Sequence, residues 1–149
     1  MQRASVALIL ALAFCGIAVS AYLAGHEASG TPLICNVEGL SDCNTVVASE
    51  YSHLWGISLA SYGLLFYTML FVLAAFELVL ANQVLRRLLQ LFALAGIAAS
   101  LYSVYTQLFI IHARCVYCFI SAVLTVLILL LASVVEPLPR VRKRMAATA

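Results

Sequence analysis

Four cysteines fall into two pairs whose spacing suits thiol–disulfide exchange. Cys35 and Cys43 lie in the longest polar stretch of the chain, and Cys115-Val-Tyr-Cys118 opens its last apolar stretch. If a helix starts near Cys115, the two thiols of that motif sit on one face about one turn apart. Cys115 would then meet the unpaired amides of a helix N-terminus, where the dipole favours thiolate, and Arg114 would push the same way. An accessible, low-pKa Cys115 and a more buried Cys118 facing the bundle interior make the arrangement that exchange needs. Two other readings stand beside this one. Cys-x-x-Cys also serves zinc, although the seven residues between Cys35 and Cys43 exceed the usual ligand spacing. A Cys35–Cys43 bridge can equally be a structural staple. The fifth cysteine, Cys15, lies among Ala, Phe and Gly and reads as a small packing residue.

The elements that hold these thiols belong to a membrane. Of 149 residues, 65% are hydrophobic and only 9% are charged, and the mean hydropathy is +1.10. A soluble domain of this size cannot hide so much apolar surface. Four stretches reach the roughly 20 residues needed to cross about 30 Å of hydrocarbon. The expected fold is therefore an all-α membrane protein, a four-transmembrane-helix bundle forming a single domain over 1–149. Its helices are expected at about 4–24, 57–80, 88–111 and 115–135. The outer loop is 25–56, with a short helix, and the basic tail is 136–149. A cleaved signal peptide fits the first stretch poorly, because its apolar run continues through Ala24.

Orientation follows from charge. Arg3, Arg86, Arg87, Arg140, Arg142, Lys143 and Arg144 are seven of the eight basic residues, and all fall on one side. The positive-inside rule makes that side, with both termini, cytoplasmic. Loop 25–56 and the turn near His112 then face outward, which in a prokaryote is the oxidising side where disulfides persist. A net charge of +2 gives no reason to expect nucleic acid as a partner.

The loop reads Cys35-Asn-Val-Glu-Gly-Leu-Ser-Asp-Cys43-Asn-Thr-Val-Val-Ala-Ser49, followed by Trp55-Gly56 and Ser61-Tyr-Gly63-Leu-Leu-Phe-Tyr67. Together with Cys115-Val-Tyr-Cys118 it resembles the vitamin K epoxide reductase family, as a stand-alone prokaryotic-type member. Ser20, Tyr22 and Ser100-Leu-Tyr102 add weaker matches, so the likeness runs from about Gly16 to Ile120. The disulfide-bond protein B family has the same chemistry, but there the Cys-x-x-Cys comes first and the spaced pair second.

The resemblance implies a relay. A separate thioredoxin-like dithiol protein on the extracytoplasmic side would attack at Cys35. Cys43 would then form an interloop disulfide with Cys115, and Cys118 would release it. The reduced Cys115/Cys118 pair would pass electrons to a quinone in the bilayer: ubiquinone, menaquinone or vitamin K. Ser49 matches the Ser/Thr at the lip of the family's quinone pocket, although a loop hydroxyl of this kind also caps backbone. Ser61, Tyr62, Phe66 and Tyr105 are candidate pocket walls, with Gly63 permitting close approach; interfacial aromatic belts and plain helix packing compete with that assignment. Glu77 is expected to reach the headgroups at the cytoplasmic end of its helix.

Departures from the vertebrate pattern matter. Leu59 stands where vertebrate members have asparagine, Ala122 stands where they have tyrosine, and the vertebrate insert after Trp-Gly is missing. These differences point away from epoxide reduction and toward making disulfides, in a prokaryotic cytoplasmic membrane rather than the endoplasmic reticulum. The alternatives are a vertebrate-type quinone or epoxide reductase and a non-catalytic, disulfide-stapled scaffold.

Overall fold

No proline falls inside any of the four apolar stretches; Pro32, Pro137 and Pro139 all lie outside them. With no water to satisfy the backbone, such segments bond their own amides and become helices. The computed structural model describes residues 2–33 and 43–135, so Cys35 and the tail 136–149 lie outside the described residues. It contains α1 (Gln2–Ser29), a short α2 (Cys43–Val47), a hairpin of β1 (His53–Leu54) and β2 (Ile57–Ser58), α3 (Leu59–Leu80), α4 (Gln83–Tyr105) and α5 (Val116–Val135). A π-helical turn, Thr106–Ile111, continues α4. Four of these helices are long and apolar enough to cross a bilayer.

The helices close on themselves. α1 packs along α3 and α5, and α4 packs along α3 and α5. The core between them is Ile9, Ala13, Tyr67, Leu70, Ala74, Leu89, Ala93, Ile128 and Ala132. Large residues such as Phe14, Leu101 and Val134 face outward, as expected where lipid rather than water is the solvent. α1 and α3 approach closely because small residues line their seam. Gly63 lies against the Ser20 hydroxyl, and Gly16 lies flat against the Tyr67 ring.

Two helices run further than their apolar stretches, and side-chain partners explain both extensions. α1 continues past Ala24 to Ser29 because the His26 ring packs on Tyr22 at 4.4 Å and Glu27 meets His53. It ends at Gly30, whose φ of 64° suits a helix stop. α4 starts at Gln83 rather than Leu88. Asn82 caps it, its side chain accepting the Val84 N–H at 3.2 Å. Arg86, one turn on, pairs with Glu77 of α3. Only Ala81 and Asn82 separate the two helices, which folds the pair together. Glu77 is consequently 3% exposed and is held inside the bundle rather than reaching headgroups.

The all-α expectation misses the hairpin. His53 pairs with Ser58 and Leu54 with Ile57, and the two-residue turn has φ of 52° at Trp55 and 80° at Gly56. Positive φ at both positions is what a tight hairpin with native twist requires. Ser58 then caps α3, accepting the Ser61 N–H at 3.2 Å.

Gly16→Ala tests the α1–α3 seam. Alanine gains helix propensity over glycine, but its Cβ would overlap three atoms of the Tyr67 ring, and that ring is tethered at its hydroxyl. The overlap wins, and unfolding in mild detergent is expected to show a loss of about 1–3 kcal/mol.

Candidate functional site

At one end of the bundle a second buried cluster brings the cysteine motifs together. Cys43 and Cys115, both 0% exposed, pack with Leu23, Leu33, Val46 and Ala113. α2 is tied into place by Asn44, whose Oδ1 accepts the Leu33 N–H at 2.9 Å. Cys43 is disulfide-bonded, whereas Cys115 and Cys118 carry free thiols.

Cys115 occupies the cap of α5, and its carbonyl accepts the Phe119 N–H at 3.2 Å. Its sulfur accepts from the Cys118 thiol first, and then from the amides of Cys118 and Tyr117. These donors hold the Cys115 thiol below the ordinary thiol range, against the opposing effect of burial. Exposure runs opposite to the expectation. Cys115 is the sealed thiol, roofed by α2 and the end of α1, while Cys118 is half-buried. Arg114, expected to help the thiolate, is exposed.

Cys118 opens onto a cavity of about 800 Å³ between the helices, within the size range of small-molecule sites. Ser49, Tyr62 and Phe66 line it, as does the hairpin through Leu54 and Trp55. Ser49 also donates its hydroxyl to the Val46 carbonyl at 2.7 Å, which is a loop-capping bond. Ser61 and Tyr105, both expected in the pocket, lie outside its lining. Ser61 is taken up by Ser58 in the cap of α3. Tyr105 is 56% exposed and stacks on Phe109 with centroids 5.0 Å apart, on the outer face of α4.

Several lining residues were not anticipated. The Tyr67 hydroxyl donates to the Ser121 carbonyl at 2.7 Å and lies 2.8 Å from Ser121 Oγ and 3.0 Å from Thr125 Oγ1. Ser121 and Thr125 follow Cys118 at three and seven positions, the spacing of one helix face, so this polar stripe was there to be read. Gln107 and Ser103 of the α4 end also face the cavity. A glutamine inside an apolar span was the available signal for them. Beside the cavity-lining Glu27, His53 Nε2 lies 2.8 Å from Glu27 Oε1.

The model of the vitamin K epoxide reductase family matches residues 7–133, most of the chain, and the chain belongs to that family. No individual curated protein matches it at a significant level. Membership makes it a multi-pass membrane oxidoreductase, in a family that generally uses a quinone as electron acceptor.

A thiol reacts as its thiolate, so a lowered pKa keeps Cys115 reactive at lower pH and activity falls only below it. With Cys35 and Cys43 changed to serine to open the roof, alkylation of Cys115 is expected to persist below the ordinary thiol midpoint of about 8.5. Cys118→Ala removes the largest donor and is expected to move the profile upward. Mass-spectrometric alkylation rates against pH check both.

Proposed function

We propose that this member of the vitamin K epoxide reductase family is a membrane thiol–disulfide oxidoreductase that oxidises a thioredoxin-like dithiol protein and delivers the electrons to a quinone. The observation that carries the reading is the stacking of parts at one end of the bundle. Disulfide-bonded Cys43 shares a buried cluster with Cys115, and Cys118, one turn along α5, faces the cavity.

The chain's own residues would act in order. Cys35 is the proposed partner of Cys43 and the sulfur that the donor protein attacks. Released Cys43, in the same buried cluster as Cys115, would attack Cys115 of a Cys115–Cys118 disulfide, forming the interloop disulfide and expelling Cys118 as the thiolate. Cys35, released when the donor's second thiol closes the donor's own disulfide, would then attack Cys43, re-forming the Cys35–Cys43 bridge and leaving Cys115 and Cys118 as the reduced inner dithiol. Each exchange conserves electrons and passes a proton to the leaving thiolate. The cavity fits a quinone: it is walled mainly by apolar and aromatic side chains, with a few converging hydroxyls. When bound, the quinone supplies an acceptor for the two electrons and two protons of the inner dithiol. Ser49, Tyr62 and Phe66 are the proposed contacts of its head. The basic residues support cytoplasmic termini and an outward-facing loop. Leu59 in the cavity wall and Ala122 on α5 support disulfide formation in a prokaryotic inner membrane over vertebrate-type epoxide recycling.

Purified protein with a reduced thioredoxin-like donor is expected to reduce ubiquinone or menaquinone, and to reduce vitamin K epoxide poorly. Cys118→Ala should bring quinone reduction to background, while Cys35→Ala should still oxidise a small dithiol but lose the protein donor. Undiminished turnover by Cys118→Ala would sink the relay. Absence of turnover in every form, wild type included, would favour the scaffold.

A further inference from the structure

In the relay, Cys118 carries negative charge as Cys43 expels it from the Cys115–Cys118 disulfide, and it carries the same charge in the reverse exchange, at a half-buried position on α5. A thiolate there is costly unless donors already point at it. The π-helical turn at the end of α4 supplies such donors. Such turns are rare and cluster at functional sites. This one ends at His112, with φ of 55°, and the amides of His112 and Ala113 both bond the Gln107 carbonyl.

Gln107 is 1% exposed. Its Oε1 accepts the Cys115 N–H at 3.2 Å, and its Nε2 donates to Ser103 Oγ at 3.0 Å. Both side chains line the cavity together with Cys118 and are hydrogen-bond partners of its sulfur. Ser103 and Gln107 are four residues apart, so they stack on one helix face. The amide donates to the hydroxyl, and both groups serve the Cys118 sulfur as donors. Linked donors of this kind strengthen one another.

We infer that Gln107 and Ser103 form a donor site for the Cys118 sulfur, built to stabilise the thiolate that leaves when Cys43 attacks Cys115 and that attacks Cys115 in the reverse exchange, through one shared transition state. In that reverse direction the step is balanced. The Cys118 sulfur bonds the Cys115 sulfur, the bond from Cys115 to its former partner breaks, and the departing sulfur takes the electron pair and the proton that Cys118 gave up. Gln107 has a second task in the same event. By holding the Cys115 amide it fixes the cap of α5, so the attacked sulfur stays in line. The inference rests on the exchange order proposed above, but it concerns one chemical step that needs neither donor protein nor quinone.

That step can be timed alone. In a Cys15→Ala, Cys35→Ser, Cys43→Ser background, reduced protein mixed with one equivalent of 4,4′-dithiodipyridine is expected to release thiopyridone in two phases. The first is capture of Cys115, and the second is displacement by Cys118. Gln107→Met is expected to slow the second phase about tenfold, equivalent to about 1.4 kcal/mol, and Ser103→Ala about threefold. The first phase should stay within about twofold on the same scale. Ser103→Ala removes one oxygen and raises helix propensity, so the test survives a Gln107→Met that does not fold. A wild-type second phase in Ser103→Ala, or equal slowing of both phases by Gln107→Met, overturns the donor site. A donor-sensitive second phase in protein that reduces no quinone would instead leave this inference standing and remove the quinone from the proposed function.

Discussion

A polar side chain inside hydrocarbon has to find its partner within the protein, and that constraint arranges this chain. No water stands ready to take up an unmatched hydroxyl or amide. Some polar residues in the spans bond their own helix, as Thr68 and Ser133 do, and others are ties between elements. Tyr67 binds α3 to α5 through Ser121 and Thr125. Gln90 binds α4 to α5 through the Ala132 carbonyl at 3.1 Å, and Glu77 binds α3 to α4 through Arg86. Gln107 binds the end of α4 to the start of α5. Apolar packing against lipid hardly prefers one helix neighbour to another, so these ties do much to decide which faces turn inward.

The same constraint explains what was readable in the sequence. The four spans follow from length and apolarity alone. The ends of α1 and α4 do not, because Glu27–His53 and Glu77–Arg86 are contacts between residues of different elements, whose meeting depends on the fold. Helices that are apolar nearly all round carry little information about rotation. That is why Phe66 and Tyr105 looked equally suited to the pocket, although Tyr105 points outward. Ser61 failed for another reason: a serine at a helix start has a local use in capping that competes with any ligand. The polar stripe Cys118, Ser121, Thr125 carried its phase openly, and so did Gln107.

Burial of Cys115 has a chemical consequence. A thiolate that is favoured by three donors and open to solvent would react with any passing disulfide or oxidant. Beneath α2 and the end of α1, the same sulfur is reachable only by what the fold brings to it. In the described structure that is Cys43, in the same buried cluster. Selectivity in the proposed relay then comes from access, and the outer cysteine pair is needed because Cys115 is sealed.

The two thiols of the motif accordingly need opposite surroundings. Cys115 is held by helix amides and by the Cys118 thiol, an arrangement that suits a sulfur waiting as an electrophile's target or a stable thiolate. Cys118 begins as the donor in that pair, so it gives up its proton only when Cys115 no longer offers a charge to bind. A disulfide on Cys115 removes that charge. The hydrogen bond that kept Cys118 protonated then has no acceptor of equal strength, and the donors at Gln107 and Ser103 become its remaining partners. On the proposed order of exchange, forming the interloop disulfide would itself leave Cys118 as a thiolate facing these donors. The timing of the step would be set by hydrogen bonds already in place rather than by a moving part.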